Sequence, residues 1–109
     1  AGVALQRVCV VTPESAGAGH WAVEQMLRSG GFSAVLGWPG VLDMRDLRRL
    51  QLAAETGHAS GLLFRDAAVA TQASPAALRL RLHGPADRME VEIIKSRGGQ
   101  PGARWRAAA

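Results

Sequence analysis

Three histidines and two aspartates are the side chains of this chain that first suggest catalytic or metal-binding chemistry. His20, His58 and His83 lie far apart in the sequence, without a Cys, Ser or Asp at the spacing of a catalytic triad or metal site. Asp43 and Asp46 are spaced as the cap and first turn of a helix, which accounts for both carboxylates. The sequence therefore predicts no catalytic residue, no metal site and no enzymatic activity.

A glycine-rich segment at residues 15–19 is the candidate site for a nucleotide phosphate. A phosphate-binding loop needs Gly-x-x-x-x-Gly-Lys-Ser/Thr, but the only lysine is Lys95, near the C-terminus. The segment also lacks the complete dinucleotide fingerprint. A predicted strand ends in Trp38 and Pro39, where an acidic residue would be needed to hold magnesium. We therefore expect no cofactor.

Basic side chains are concentrated toward the C-terminus. The chain has 109 residues and a net charge of +4, and residues 67–109 hold seven Lys or Arg against three acids. A basic segment with an aromatic ring that stacks on a base is typical of single-stranded DNA binding. A solvated strand face and tail is the alternative interpretation. The candidate contact residues of this segment are Arg79, Arg81, Lys95, Arg97, Arg104, Trp105 and Arg106.

The elements that position these residues centre on a strand, a helix and a second strand at residues 33–38, 43–56 and 60–65. A helical connection of this length implies that the two strands are parallel, and their short apolar runs indicate that both are buried. The helix repeat turns an apolar stripe toward the sheet, with Met44 as its first member. Its polar face is a candidate partner surface and carries Arg45, Arg48 and Arg49.

Three further elements complete the prediction. A first strand is expected at residues 7–11, with Cys9 buried in it, and a first helix at residues 20–29. Glu24 and Arg28 are expected to pair on the wet side of that helix. Alternating residues at 76–83 and 89–95 predict an antiparallel hairpin, with a last short strand around Trp105. Its ion pairs are expected to join Arg79 and Arg81 to Glu90 and Glu92, while Trp21 and Trp38 are expected in the core.

The composition is that of one globular domain spanning residues 1–109. Hydrophobic residues make up 48% of the chain and charged residues 20%. The longest apolar runs are far shorter than the roughly 20 residues of a membrane-spanning helix. The first residues have no signal-peptide pattern. We expect a cytoplasmic protein that does not contact a membrane.

Five ordered segments of the sequence carry a resemblance to a known family: residues 20–30 (HWAVEQMLRSG), 34–38 (AVLGW), 47–55 (LRRLQLAAE), 61–65 (GLLFR) and 74–82 (SPAALRLRL). Together they resemble the C-terminal part of ImuA, a family of RecA-like proteins from damage-inducible mutagenesis operons that is related to the SulA division inhibitors. The glycine-rich tail at residues 95–102 is also similar to that family, so the resemblance covers nearly the whole chain.

The resemblance implies an α/β fold: a truncated RecA-like sheet of parallel strands with crossover helices, followed by a C-terminal antiparallel β-hairpin. It implies a non-catalytic accessory protein of SOS-induced, error-prone translesion DNA synthesis. The implied partners are RecA, ImuB and an error-prone polymerase. Family members carry an N-terminal phosphate-loop region that this sequence lacks, so we expect an uncovered sheet edge or face, and a homo-oligomer formed through the uncovered edge.

Two alternatives stay open. A SulA-like cell-division inhibitor that binds FtsZ shares the central segments, although SulA-type proteins end near residues 61–65. A single-stranded DNA-binding module using the basic C-terminal tail is the other alternative, and its affinity should fall with rising salt.

Overall fold

The computed structural model describes residues 2–99 and 102–106, except for the side chain of Trp105. The chain forms two compact units, Ala1–Arg65 and Asp66–Ala109. The first contains a parallel pair of strands with two helices, and the second contains an antiparallel sheet. This confirms the expected mixed α/β class with a C-terminal hairpin. A single domain over residues 1–109 stays a prediction.

The first unit is built from α1 (Ala16–Arg28), β1 (Ala34–Gly37), α2 (Met44–Gly57) and β2 (Ser60–Leu63). β1 and β2 are parallel, and the register places Leu36 opposite Leu62. The predicted strand, helix and strand are therefore confirmed. In the described part of the chain, neither helix has the length and apolar content that a membrane crossing requires.

α1 begins before the predicted residue 20, because Ser15 acts as its N-cap. The Ser15 hydroxyl accepts a hydrogen bond from the Ala18 amide at 3.1 Å, which satisfies one of the free amides of the first turn. Residues 16–19, expected to be loop, are therefore helical. The helix ends as predicted at a glycine, since Gly30 has a φ of 78° in the left-handed region.

α2 begins with the predicted cap. The Asp46 amide donates to Asp43 Oδ1 at 2.8 Å, and the Asp43 amide donates to Asp46 Oδ2 at 3.0 Å. The two aspartates thus form a reciprocal capping box. Met44 was expected to face the sheet, but its side chain is exposed. That prediction is wrong because Met44 lies in the first turn, outside the core of the unit.

The core lies between the two helices and one face of the parallel pair. Its fully buried members come from α1, β1, α2 and the turn before α2. They are Leu27, Val35, Leu42, Leu47, Leu50 and Ala53. The opposite face of the pair contributes no buried residue, so the strands expected to be buried are covered on one face only.

The segment before α1 is not the predicted strand. A short 3-10 helix, Leu5–Arg7, is followed by residues without regular structure, and Cys9 is exposed rather than buried. A β-branched run becomes a strand only when a neighbouring strand takes its hydrogen bonds. Among the described residues β1 pairs with β2 alone, so residues 8–11 have no such neighbour.

The second unit contains β3 (Leu78–His83), β4 (Glu90–Ser96) and β5 (Arg104–Arg106) in the antiparallel order β3-β4-β5. The predicted hairpin and the short last strand are confirmed. A bulge between Arg79 and Leu80 shifts the register of β3 against β4.

The burial of β3 differs from expectation. Leu78, Leu80 and Leu82 are exposed, whereas Arg79, Arg81 and His83 are half-buried. The polar side chains are partly covered because they make hydrogen bonds or ion pairs with neighbouring groups of the same unit.

Candidate functional site

The outward side of the parallel pair is an apolar surface, which we call the aromatic face and define as Leu36, Trp38, Leu62 and Phe64. Side chains alternate along a strand, so burial of Val35 against the helices turns Leu36 and Trp38 the other way. All four members of the aromatic face are exposed. Large exposed apolar patches mark surfaces that bind other proteins.

Two rings form the centre of the aromatic face. The centroids of Trp38 and Phe64 are 5.1 Å apart and their planes differ by 15°, an aromatic stack. The Phe64 amide donates to the Gly37 carbonyl at 2.9 Å, which extends the pairing beyond β2 and brings the rings together. Trp38 is nevertheless 73% exposed and Phe64 37% exposed. The expectation that Trp38 belongs to the core is wrong, because the helices cover only the other face.

The loop that follows Trp38 is held in place where it joins α2. Leu42 is buried, its carbonyl accepts a hydrogen bond from Arg65 Nη2 at 3.3 Å, and the capping box closes the far end at Asp43. Val41 remains almost fully exposed. Ligands of open α/β sheets bind at the carboxyl ends of the strands, which is where this loop lies.

A buried carboxylate joins the two helices. Arg49 Nε and Nη2 donate to the two carboxylate oxygens of Glu24 at 2.8 and 3.1 Å, and Arg28 Nη2 lies 3.5 Å from Oε2. The Arg49 hydrogen bonds lower the pKa of Glu24 below 4.5, against burial, which raises it. The pairing of Glu24 with Arg28 is confirmed. Its placement on the wet side is wrong, because Glu24 is only 7% exposed.

The candidate residues of α2 divide into two groups. Arg49 has its Nε and Nη2 atoms engaged by Glu24, while Arg45 and Arg48 are exposed. Within the described part of the chain, neither of these two guanidinium groups forms an ion pair. Trp21 is 66% exposed on α1, so its expected place in the core is also wrong.

Three basic candidates of the second unit fasten the segment before β3 to the sheet. Arg79 donates to the carbonyls of Gln72 and Val69 at 2.8 and 3.2 Å, and Lys95 donates to the Ser74 carbonyl at 2.7 Å. The Arg97 guanidinium is 3.4 Å from the carbonyl oxygen of Pro75. These cations have structural hydrogen bonds that phosphate groups would have to replace.

Two further basic candidates bind acids of β4. Glu92 is 3.9 Å from Arg81, 3.7 Å from Arg104 and 3.1 Å from His83. The His83 hydrogen bond lowers the pKa of Glu92, together with the nearby guanidinium charges and against partial burial. Arg104 also bonds Glu90 at 3.1 Å. The Arg81 pair confirms part of the predicted ion pairing.

The ion pair predicted for Arg79 is wrong. The register places His83 opposite Glu90 and Arg81 opposite Glu92, and it leaves Arg79 opposite Lys95. The last two candidates of the tail lie in β5, where the register places Trp105 opposite Val91. Arg106 is exposed, and the side chain of Trp105 lies outside the described residues.

Apart from Trp38, which was expected in the core, the residues of the aromatic face were not singled out in the sequence. The two strands were expected to be buried, and Val41 was not considered. Both faces of the two short strands carry apolar residues. This pattern does not indicate which face the helices cover. Among the described residues, no group of three His, Cys, Asp or Glu side chains is placed to hold a metal ion.

The parallel pair, its two helices and the aromatic face define an α/β protein with an exposed apolar surface on one side of the pair. The SulA cell division inhibitor of Edwardsiella piscicida is 42% identical to it over 62 residues, covering 57% of this chain and 37% of the relative. The SulA inhibitor of Photorhabdus laumondii subsp. laumondii is 42% identical over 65 residues, with the same coverage.

The chain spans little more than a third of the length of these curated relatives. The likeness over the shared part is to cell division inhibitors of the SulA class, and it does not extend to the more specific assignment to ImuA. No family model matches the chain. No solved structure matches it either.

Proposed function

We propose that this chain is a non-catalytic protein-contact module of the SulA class, which inhibits cell division in the SOS response by binding FtsZ through the aromatic face. The main observation that supports the proposal is that the rings of Trp38 and Phe64 are stacked and yet exposed to solvent. The similarity to two cell division inhibitors supplies the class of function.

The aromatic face has the physical properties of a binding centre. Tryptophan is among the residues that contribute most to protein interfaces, especially when its ring is fixed before binding. Covering the exposed part of Trp38 removes on the order of 150 Å² of ring surface from water, which contributes about 3–4 kcal/mol before the costs of association. Phe64 holds the ring in place through the 5.1 Å stack.

The test is binding of purified FtsZ to the immobilised chain, with cell length after expression of the chain as a second measurement. Trp38→Ala should weaken FtsZ binding at least tenfold and restore normal cell length. The matched control is Leu52→Ala, which also truncates an exposed side chain, on α2 and outside the aromatic face. Equal FtsZ binding by the wild-type chain and Trp38→Ala would contradict the proposal.

A second candidate function is the translesion-synthesis role that the ImuA resemblance implies. It is favoured by the β3-β4-β5 sheet, which follows the parallel pair and contains the resembling segment at residues 74–82. RecA and ImuB are offered to the chain beside FtsZ in the same binding experiment. Capture of RecA or ImuB without FtsZ would select this function over cell-division inhibition.

A further inference from the structure

The parallel pair has an open edge along β1. The Phe64 amide donates to the Gly37 carbonyl at 2.9 Å, so the backbone groups of Gly37 point toward β2. Neighbouring residues of a strand point their amides and carbonyls to opposite sides, which turns those of Ala34 and Leu36 away from β2. Within the part of the chain that the structure describes, no strand pairs with that side of β1. Such an edge is a template for pairing with another strand.

The same chain contains an unpaired segment with strand-forming residues, which we call the valine segment and define as residues 8–11 (VCVV). β-branched residues favour strands, yet Val8, Val10 and Val11 are 48%, 83% and 46% exposed. No backbone hydrogen bond between described residues uses the amide or the carbonyl of Cys9, Val10 or Val11. The valine segment therefore offers both apolar side chains and unpaired backbone groups to a neighbouring strand.

The connection through α1 matches the valine segment to the open edge of β1. A strand at residues 8–11 followed by α1 and β1 would form a βαβ unit, as β1, α2 and β2 do. Such units are right-handed in nearly all proteins, and α1 and α2 cover the same face of the pair. Two right-handed connections over one face advance in the same direction across a sheet. The place for a strand of this sequence is therefore beside β1, on the side away from β2.

The valine segment is tethered to its own chain only at its C-terminal end. Pro13 packs against the first turn of α1, where a Cβ atom added at Gly19 would be 3.2 Å from Pro13 Cγ. Between the short 3-10 helix and Ser15, the described residues have no regular structure. Transfer of the segment to another molecule would therefore break no strand pairing in the chain that donates it. Exchange of an identical element between copies is a low-cost route to a dimer.

We propose that two copies of this chain form a dimer by exchanging their valine segments, each of which adds a strand to the open β1 edge of the other copy. A second copy is the occupant because the open edge and the unpaired strand-forming segment belong to the same molecule, and the segment does not pair with β1 of its own chain. Backbone hydrogen bonds join the segment to Ala34 and Leu36, and the valine side chains become buried beside β1. A two-fold axis relates the two contacts, so both edges are closed and no third copy is recruited.

The test measures the mass of the chain by sedimentation equilibrium at about 1–100 μM, where the wild type should form dimers. Val10→Lys places a charge in the centre of the added strand and should weaken dimerisation at least tenfold. Val3→Lys is the matched control, because Val3 is also exposed, at 77%, but lies outside the valine segment. It should form dimers as the wild type does. Both substitutions replace exposed residues outside the helices and strands, and circular dichroism checks that each variant is folded.

Hydrogen exchange followed by mass spectrometry locates the contact. Residues 8–11 and 34–37 should become protected as the concentration of the wild-type chain rises, and Val10→Lys should lose this protection. A wild-type chain that stays monomeric throughout the concentration range would overturn the proposal. So would a dimer that Val10→Lys leaves intact, or a valine segment that is already protected in the monomer, since that protection would mean pairing within one chain.

Discussion

Gly57 of α2 lies directly against the backbone of Leu27 in α1: a Cβ atom added at Gly57 would be 1.7 Å from the Leu27 carbonyl oxygen. The glycine was expected to end the helix, but the residue with the left-handed conformation is His58, with a φ of 53°. Gly57 is therefore required for the close approach of the two helices rather than for the turn.

Gly57→Ala should destabilise the first unit strongly, because backbone atoms cannot move aside as a flexible side chain does. Overpacking typically costs about 1–3 kcal/mol, and we expect the upper end of that range or more. The measurement is urea unfolding followed by circular dichroism. Gly17→Ala is the control, since a Cβ at Gly17 meets no atom within 4 Å, and it should be neutral or slightly stabilising. An unchanged unfolding midpoint for Gly57→Ala would show that the helices do not pack this closely.

The Glu24 carboxylate should make stability depend on pH. Its pKa is lowered in the folded state by Arg49. The ionised carboxylate therefore contributes fully to the stability of the fold above the unfolded pKa near 4.5. The contribution is lost as the pH falls through the lower pKa of the folded state, where the carboxylate takes up a proton. The unfolding free energy of the wild-type chain should therefore decrease as the pH is lowered from about 4.5.

Glu24→Gln tests that assignment, because it keeps the shape of the side chain and removes the charge. Its unfolding free energy should be lower at pH 7 and should fall less steeply between pH 5 and pH 3 than that of the wild type. Glu55→Gln, an exposed carboxylate on α2, is the matched control and should retain the wild-type slope. Parallel pH curves for the wild type and Glu24→Gln would contradict the prediction.

Local patterns predicted the elements of this fold well. The capping box of Asp43 and Asp46 and the apolar repeat of α2 are encoded within a few residues, and both were found where expected except for the exposed Met44. Alternation in β3 likewise predicted a strand, although Leu78 and its neighbours on the apolar side proved exposed. Such signals are reliable because they depend on backbone geometry that extends over one or two turns.

Which face of a helix or strand is buried depends on elements that are distant in sequence. The predictions of burial for Glu24 and Trp38 were wrong for this reason. Glu24 has an arginine four residues later and reads as a surface residue, but the guanidinium that buries it comes from Arg49, 25 residues away. Trp38 reads as core because its strand is apolar throughout, although both helices pack on the other side. No local pattern states which side of a two-stranded sheet the helices will cover.

Single-stranded DNA should bind the chain weakly. Arg79, Lys95 and Arg97 are engaged by backbone carbonyls, and Arg104 by two carboxylates. The two carboxylates offset the charge of Arg104, and phosphates would compete with the carbonyls that orient the other three cations, so less binding energy is available than from free side chains. We expect no binding of a labelled oligonucleotide at about 150 mM salt, measured by fluorescence anisotropy. Tight binding that is lost when Arg97, Arg104 and Arg106 are changed to alanine would establish the DNA-binding function instead.

Phe64 should act on partner binding through the orientation of Trp38. Phe64→Ala removes the stacked ring and leaves Trp38 free to turn, so part of the fixed shape of the aromatic face is lost. An aromatic pair contributes about 0.5–1.5 kcal/mol, which corresponds to a loss of FtsZ affinity of about 2- to 10-fold, smaller than that of Trp38→Ala. Phe64→Tyr keeps the ring and should bind as the wild type does.

With Trp21 and Trp105 replaced by phenylalanine, the fluorescence anisotropy decay of Trp38 should show greater ring motion in Phe64→Ala. Unchanged motion with reduced affinity would mean that Phe64 contacts the partner directly rather than positioning Trp38.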